Sequence, residues 1–408
     1  DEKGYEEENM EFKHPAVVLG TDSPASLAII RNLGRRKIRI ITMDSAPSPY
    51  GVSKYTAESL IVPSIEKEEQ LLKALADYGT QSDQKPVLLA ATEKYSRFLD
   101  RHMDELKSDY LFPMEKSSEM ILSPIRNRSD AEDGNHDCIP ERIDLKDEDL
   151  LRRVPLLLGY PCLLKCKDSE GFKEKFRENF LLIKNESDLL DKLHAIKHYG
   201  YTQECFFEAV IPGPEDHDYT ATFYYGKDSK LKGYLTAETI RKYPHTFGKM
   251  SYSKQKWIPE LVNLADPLFK ESGFRGILET KWKRDEFSRK VYLLSAEPIF
   301  TESTEMHCHL GFETPYMYYM DALGEDIPEA FLDHDTHCHW KNKERDLSAI
   351  YHYLKNDQMN FVKIISDYKF RKTNSTWAWD DMSPGLNYFG HMVEKGVSAL
   401  WRKIRKQK

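Results

Sequence analysis

Apolar residues along this chain follow two rhythms, and each predicts its own elements. Ala16-Val-Val-Leu-Gly20 is a continuous apolar run closed by glycine, suited to a buried strand. The following SLAIIRNLGRR spaces Leu27, Ile30 and Leu33 along one helical face, with Ser23 or Asp22 placed to cap it ahead of Pro24. Lys37–Met43 then predicts a strand, Glu66–Tyr78 a helix, Pro86–Ala91 a strand and Lys94–Leu106 a helix. Strands alternating with helices argue for a parallel sheet with crossover helices, a Rossmann-like domain over residues 15–122. The turn after Gly20 lacks the G-x-G-x-x-G spacing that lets backbone approach a pyrophosphate, so dinucleotide binding is not expected there. TDSPAS, at the carboxyl end of the first strand, reads either as one wall of a substrate cleft or as an ordinary tight turn.

The rhythm changes in the second half. Residues 123–149 are polar, rich in acidic residues and poor in apolar period, and 123–158 is read as a linker or insert. Over 159–213 come strand Pro161–Lys165, strand Asn179–Lys184, an amphipathic helix and strand Glu204–Ile211. The helix carries Leu189, Leu190, Leu193 and Ile196 on one face, capped by Asn185 or Ser187. Residues 214–345 predict a larger subdomain with strands at Tyr219–Tyr225, Leu231–Thr236, Ile277–Lys283 and Val291–Ile299, and 346–408 a helical region. There Phe389, Val393, Val397, Leu400 and Ile404 make one helical face before the basic WRKIRKQK, read as a helix docked on the domain or, alternatively, resting on a membrane surface. The fold class is therefore α/β at the start and α+β in the second half.

Composition narrows the class. In 408 residues, 40% hydrophobic content with 12% aromatics indicates a globular chain with room for two or three domains. A net charge of −8 gives no general attraction for nucleic acid, and no apolar run approaches a membrane span. Cys138, Cys162, Cys166, Cys205, Cys308 and Cys338 are scattered without disulfide-scaffold spacing, which places the chain in a reduced, cytoplasmic setting. Residues 1–14 read as a flexible acidic tail.

Several residues carry candidate chemistry. Lys165 ends a strand, where an ammonium can reach an anion from a fixed base, or simply stand in solvent. Glu208 precedes Val210 and Ile211 on an extended strand running into Pro212-Gly-Pro. Such a strand can offer a carbonyl-type acceptor to a purine amine and a backbone N–H to its ring; the plain alternative for Glu208 is an exposed strand residue. Period-2 alternation puts Glu279, Lys281 and Lys283 on one strand face, and Ser295 and Glu297 on one face of a later strand. His-Cys-His occurs twice, at His307–His309 and His337–His339, but in no standard zinc spacing.

In order and spacing, GYPCLLKCKDSEGF from Gly159, FFEAVIPGPEDHDY from Phe206 and VYLLSAEPIF from Val291 resemble the ATP-binding half of the ATP-grasp superfamily. Arg241-Lys-Tyr-Pro244 resembles its Arg-x-x-Pro element, and TWAWDDMSPGLNYF from Thr376 the aspartate-rich close of its carboxylate–amine ligase branch, which includes D-aspartate ligases. The resemblance implies ATP as cofactor, with Lys165 on the phosphates and Glu208, Val210 and Ile211 at the adenine hinge. It further implies Arg241 near the phosphates or a substrate carboxylate, and an acyl phosphate attacked by an amine. Its substrates would be a small-molecule carboxylate and amine, such as an amino acid or cell-wall precursor; a homodimer is open. Three departures stand out. The Asp-Lys pair that usually supplies a second phosphate ligand is not found around 123–149. Lys281 and Ser295 stand where magnesium carboxylates belong. Ile299 replaces the signature arginine. Either Lys281 pairs with Glu297 in the metal's space, or Glu279 and Glu297 hold a displaced magnesium ion. Two functions follow from different classes: a ligase, or a pseudoenzyme that keeps the fold as a binding module.

Overall fold

Residues 12–114, 116–126, 138–167, 169–202, 205–356, 364, 366, 367, 372–374 and 376–390 are described by a computed structural model. Most of the acidic tail, residues 127–137 of the polar stretch and the basic end from 391 lie outside the described residues. The chain divides into two units. One holds the residues up to Ile121, Thr220–Glu279 and those from Glu297 on; the other holds Leu122–Tyr219 and Thr280–Ala296.

In the first unit, β1 (Ala16–Leu19), β2 (Ile40–Asp44), β3 (Thr56–Ile61) and β4 (Val87–Ala90) form an all-parallel sheet in the order β3-β2-β1-β4. Alternation along these strands feeds two cores. Val17, Leu19, Ile41, Met43 and Leu88 pack with Leu71 and Leu75 of α2 (Glu68–Gln81) and Tyr95 and Phe98 of α3 (Glu93–Arg101). Ala16, Val18, Ile40, Val87 and Leu89 pack with Ala25, Ile29, Ile30 and Leu33 of α1 (Pro24–Arg35). Being covered on both faces is why these strands read as unbroken apolar runs. Ser23 caps α1 as the sequence suggests, accepting from the Ala25 N–H. β3 escapes the hydrophobic pattern because TAESLI is an edge strand alternating half-buried and exposed positions. The helix expected over Lys94–Leu106 is two pieces, α3 and Met103–Leu106, meeting at His102.

The second unit contains an antiparallel sheet of β5 (Arg142–Asp144), β6 (Cys162–Cys166), β7 (Leu181–Ile183) and β8 (Cys205–Ala209), in the order β5-β8-β6-β7. Helices α4 (Ser169–Phe176) and α5 (Glu186–His198) accompany it, and Asn185 caps α5 by accepting from the Asp188 N–H. The reading of 123–158 as linker needs correction. Arg142–Asp144 pairs with β8, and 150–158 is helical. Only Ile143 and Leu145 alternate as apolar residues there, too short a pattern to stand out among the charges.

The remaining strands are β9 (Asp218–Tyr225), β10 (Leu231–Tyr243), β11 (Lys249–Gln255), β12 (Gly276–Arg284), β13 (Val291–Glu297), β14 (Ala330–Phe331), β15 (His339–Lys341) and β16 (Lys372–Asn374). Their order is β13-β12-β9-β10-β11-β15-β16, with β14 beside β10. β16 is a strand within the C-terminal region expected to be helical; residues 383–390 are helical as expected. Helices α6 (Pro259–Ser272), α7 (Thr304–His309), α8 (Thr314–Leu323) and α9 (Lys343–Lys355) complete the first unit. Every residue of α8 from Thr314 to Asp321 is buried, and Tyr316, Met317, Tyr319 and Met320 share a core with α1, β1, Tyr224 and Trp340. No helix among the described residues is long and apolar enough to cross a membrane.

α1 is also tied to the segment at Thr376–Asp381. Arg31 and Asp381 are both fully buried and joined at 2.9 Å, and Arg31 also donates to the Thr376 and Asp381 carbonyls. Ser53 Oγ and the Lys54 N–H donate to the same carboxylate. One turn on, Arg35 meets Asp380 at 2.8 Å in a half-exposed pair. Removing one partner of a fully buried pair strands a charge and costs about 3–5 kcal/mol, whereas an exposed pair contributes about 0.2–1 kcal/mol. Asp381→Asn is therefore expected to lower unfolding stability by roughly 3 kcal/mol in urea titrations, and Asp380→Asn by less than about 1 kcal/mol. Equal effects would show that burial does not set the weight of these pairs.

Candidate functional site

The β5-β8-β6-β7 sheet is two-faced. Ile143, Cys162, Leu164, Cys166, Leu181, Ile183, Cys205 and Phe207 point into a core with Phe172 of α4 and Leu189 and Ile196 of α5. Period 2 therefore sends Arg142, Leu163, Lys165, Phe206 and Glu208 to the other face. Register brings the charges together. Glu208 stands directly opposite Arg142 on β5 and Leu163 on β6, so Lys165 is its diagonal neighbour.

The Lys165 ammonium donates to Glu208 Oε1. Arg142 donates to Glu208 Oε2 through Nε at 2.8 Å, with Nη2 2.7 Å from the same oxygen, and its guanidinium carbon lies 4.8 Å from the Phe206 ring centre. Side-chain exposure grades across the cluster, from 0% at Glu208 and 9% at Arg142 to 22% at Lys165. Glu208 is thus not an exposed strand residue. Both its oxygens are engaged by cations, so its first action is on Lys165 and Arg142, not on a purine amine. Arg142 lies in the stretch read as linker and carries no motif; the one available signal was the Ile143/Leu145 alternation, which marks a strand.

Val210 and Ile211 follow β8 and lead into Pro212-Gly-Pro, which is fastened within the same unit. The Glu286 N–H donates to the Pro212 carbonyl at 3.1 Å. Lys283 donates to the Pro214 carbonyl at 3.2 Å and pairs with Asp218 at 3.3 Å. Gly213 has φ +143, and a Cβ there would meet His217 Nδ1 at 2.9 Å and the Arg284 carbonyl at 3.0 Å. Only glycine fits this close approach.

In the first unit, Glu279 is buried on β12 and accepts from Thr222 Oγ1 on β9. His307 Nε2 lies 3.4 Å from the same hydroxyl, and its Nδ1 is buried without a partner. Burial pushes the His307 pKa down to about 3, so the imidazole is neutral. Glu297 is half-buried at the end of β13, whereas Lys281 is exposed. Among the described residues no three His, Cys, Asp or Glu side chains are grouped to hold a metal ion. Glu279 and Glu297 are the carboxylates left for a magnesium ion at these two strands, and one Glu279 oxygen already accepts from a hydroxyl. The first His-Cys-His lies on α7, where His307 and His309 diverge; in the second, His339 meets the Tyr252 hydroxyl at 2.8 Å.

Two other expectations change. Arg241 is fully buried, with Asp346 on Nε at 2.7 Å and on Nη2 at 3.1 Å and Asp367 on Nη1; its guanidinium carbon lies 4.4 Å from the Tyr252 ring centre. The fork that suited a phosphate or carboxylate is spent inside the protein. The TDSPAS turn is also self-contained. Thr21 donates its N–H and hydroxyl to Asp44, Ser48 donates to the Thr21 carbonyl, and Asp22 pairs with Lys94 at 3.2 Å. Asp380 and Asp381 of the aspartate-rich close serve α1, as described above.

A parallel sheet, a small two-faced antiparallel sheet and a large antiparallel sheet, in this chain order, define an α/β fold of three sheets. It is the ATP-grasp fold. Similar solved structures include N5-carboxyaminoimidazole synthetase from Staphylococcus aureus complexed with ADP, 16% identical over 79% of this chain and 80% of that one, with a TM-score of 0.57. Biotin carboxylase from Campylobacter jejuni in an ATP complex is 13% identical over 77% and 72% of the chains, with a TM-score of 0.58. L-amino acid ligase from Bacillus licheniformis is 12% identical over 77% and 75%, with a TM-score of 0.54. The sequence matches no protein-family model and no curated protein.

The depressed His307 pKa has a pH signature. Unfolding returns this group to about 6.5, so between about 6.5 and 3 the unfolded chain binds the extra proton. The stability held above pH 6.5 is therefore lost as pH falls toward 3. His307→Gln is expected to lose roughly 2–3 kcal/mol less than the parent between pH 7 and pH 4, measured by urea unfolding at both. Identical losses would remove His307 from the acid response.

Proposed function

We propose that this protein binds ATP and acts as an ATP-dependent carboxylate–amine ligase in a reducing, cytoplasmic compartment. The single observation that carries the reading is the charged face of the small sheet, where Lys165 is held at the edge of a buried cation–carboxylate cluster. A polyphosphate is the ligand that such a partly exposed ammonium on a rigid strand suits. The ADP complex and the amino acid ligase among the similar structures support nucleotide use and amide formation. The free state of all six cysteines supports the compartment.

In the proposed reaction, a substrate carboxylate oxygen attacks the γ-phosphorus and ADP leaves, giving an acyl phosphate. The amine nitrogen then attacks the carbonyl carbon, inorganic phosphate leaves, and the amine's proton is lost. Lys165 would hold the phosphates in line and offset charge on the transferring group. Val210 and Ile211 would present hinge backbone to the purine. No step is assigned to magnesium, because Lys281 and Ser295 stand where the resemblance expects its carboxylates.

A second reading is favoured by Glu279 and Arg241, both occupied internally: an ATP-grasp fold that binds nucleotide without turnover. Release of ADP and phosphate from ATP, assayed against panels of amino acids and simple amines, separates the two. Substrate-dependent release supports the ligase; tight ATP binding with no release under any pairing supports the second.

Two outcomes are expected from binding measurements. Lys165→Ala should weaken ATP about tenfold or more by calorimetry, as expected for loss of a charged hydrogen bond worth roughly 1.5–3 kcal/mol. Unchanged affinity would take Lys165 out of the site. Adding magnesium to the ATP-bound protein should raise its melting temperature little beyond the effect of ATP alone. A large magnesium-specific rise would show that Glu279 and Glu297 assemble a metal site on binding.

A further inference from the structure

We infer that Arg142 is a second cationic ligand for the polyphosphate, an inference that rests on the nucleotide reading above. Glu208 accepts from Lys165 on one oxygen and from Arg142 Nε on the other, which also lies 2.7 Å from Arg142 Nη2. One carboxylate therefore serves two cations, and the three charges sum to +1. The unused donors are the rest of the lysine ammonium and the Arg142 Nη1 nitrogen, which is buried and has no partner among the described residues. A guanidinium N–H stripped of water and left without an acceptor is unfavourable in the empty protein and favourable once an anion reaches it. Arg142 is itself 9% exposed, so an anion meeting Nη1 would do so largely out of water, where charge-assisted bonds are strongest.

The ligand must be anionic, must carry several acceptor oxygens and must span from Arg142 to Lys165. A di- or triphosphate meets all three conditions. Glu208 is then a positioning residue. It holds two like charges on the strands that flank its own while the site is empty, and it prevents either side chain from swinging away. The planar Arg142 fork is fixed further by stacking on Phe206. Asp144 shares this face but stands in the next row, opposite Phe206.

The test compares ATP, inorganic tripolyphosphate and adenosine on the full chain by calorimetry, with adenosine read by competition. Arg142→Gln is expected to weaken ATP and tripolyphosphate about tenfold or more and to leave adenosine within about twofold, because only the phosphates lose a partner. Arg142→Lys keeps the charge without Nη1 and should fall between parent and Arg142→Gln for ATP. It also carries the test if Arg142→Gln proves unfolded by circular dichroism. Unchanged ATP affinity in a folded Arg142 variant overturns the inference, while Lys165→Ala weakening ATP in the same series keeps the nucleotide reading intact. Equal losses for ATP and adenosine would make Arg142 a structural prop and overturn it too. A parent that binds neither ATP nor tripolyphosphate overturns both readings together.

Discussion

A carboxylate with no access to water, serving two cations at once, is the interaction around which the small sheet is organised. Burial of a lone carboxylate on that face would cost far more than the sheet's hydrogen bonds could offset. Lys165 and Arg142 supply its partners, and each depends on it in turn. That mutual dependence fixes three strands against one another in a single register, because a slip by one residue would send Glu208 into the apolar face among Cys162, Leu164 and Ile183. The opposite face, made of cysteines and branched aliphatics, supplies cohesion without direction. The charged face supplies direction.

The same solution recurs in the first unit with a different consequence. Arg31 and Arg241 are completely buried, Arg31 paired with Asp381 and Arg241 with Asp346 and Asp367, all distant in sequence. Arginine tolerates this better than lysine would, because its planar fork can make parallel bonds to carboxylate and carbonyl oxygens at once. Where Lys165 keeps a fifth of its surface in solvent, these two arginines keep none. The contrast in access separates a cation able to meet a ligand from cations committed to the scaffold, and in the sequence the two kinds look alike.

Elements were legible where burial imposes a period. β1, β4, β6, β8 and the caps at Ser23 and Asn185 all stand out, because buried strands and capped helices constrain residue type position by position. β3 and β5 were not, for opposite reasons: one is an edge strand whose outward residues can be anything, the other has three residues inside an acidic stretch. At the site, Lys165 and Glu208 were visible by order and spacing, but their partnership was not. A diagonal contact across antiparallel strands depends on register, which the sequence of one strand does not state. Arg142 and the internal commitment of Arg241 were invisible for the same reason, since their partners lie between 66 and 126 positions away.

The bond between Arg31 and Asp381 spans 350 positions. During synthesis, the first helix leaves the ribosome long before the residue that neutralises its central charge exists. Until then Arg31 must stay hydrated, and α1 cannot settle fully on the parallel sheet, although every apolar residue of that sheet has already been made. The parallel sheet is thus made well before its covering helix can be completed, and its apolar strands stay partly uncovered in the interval.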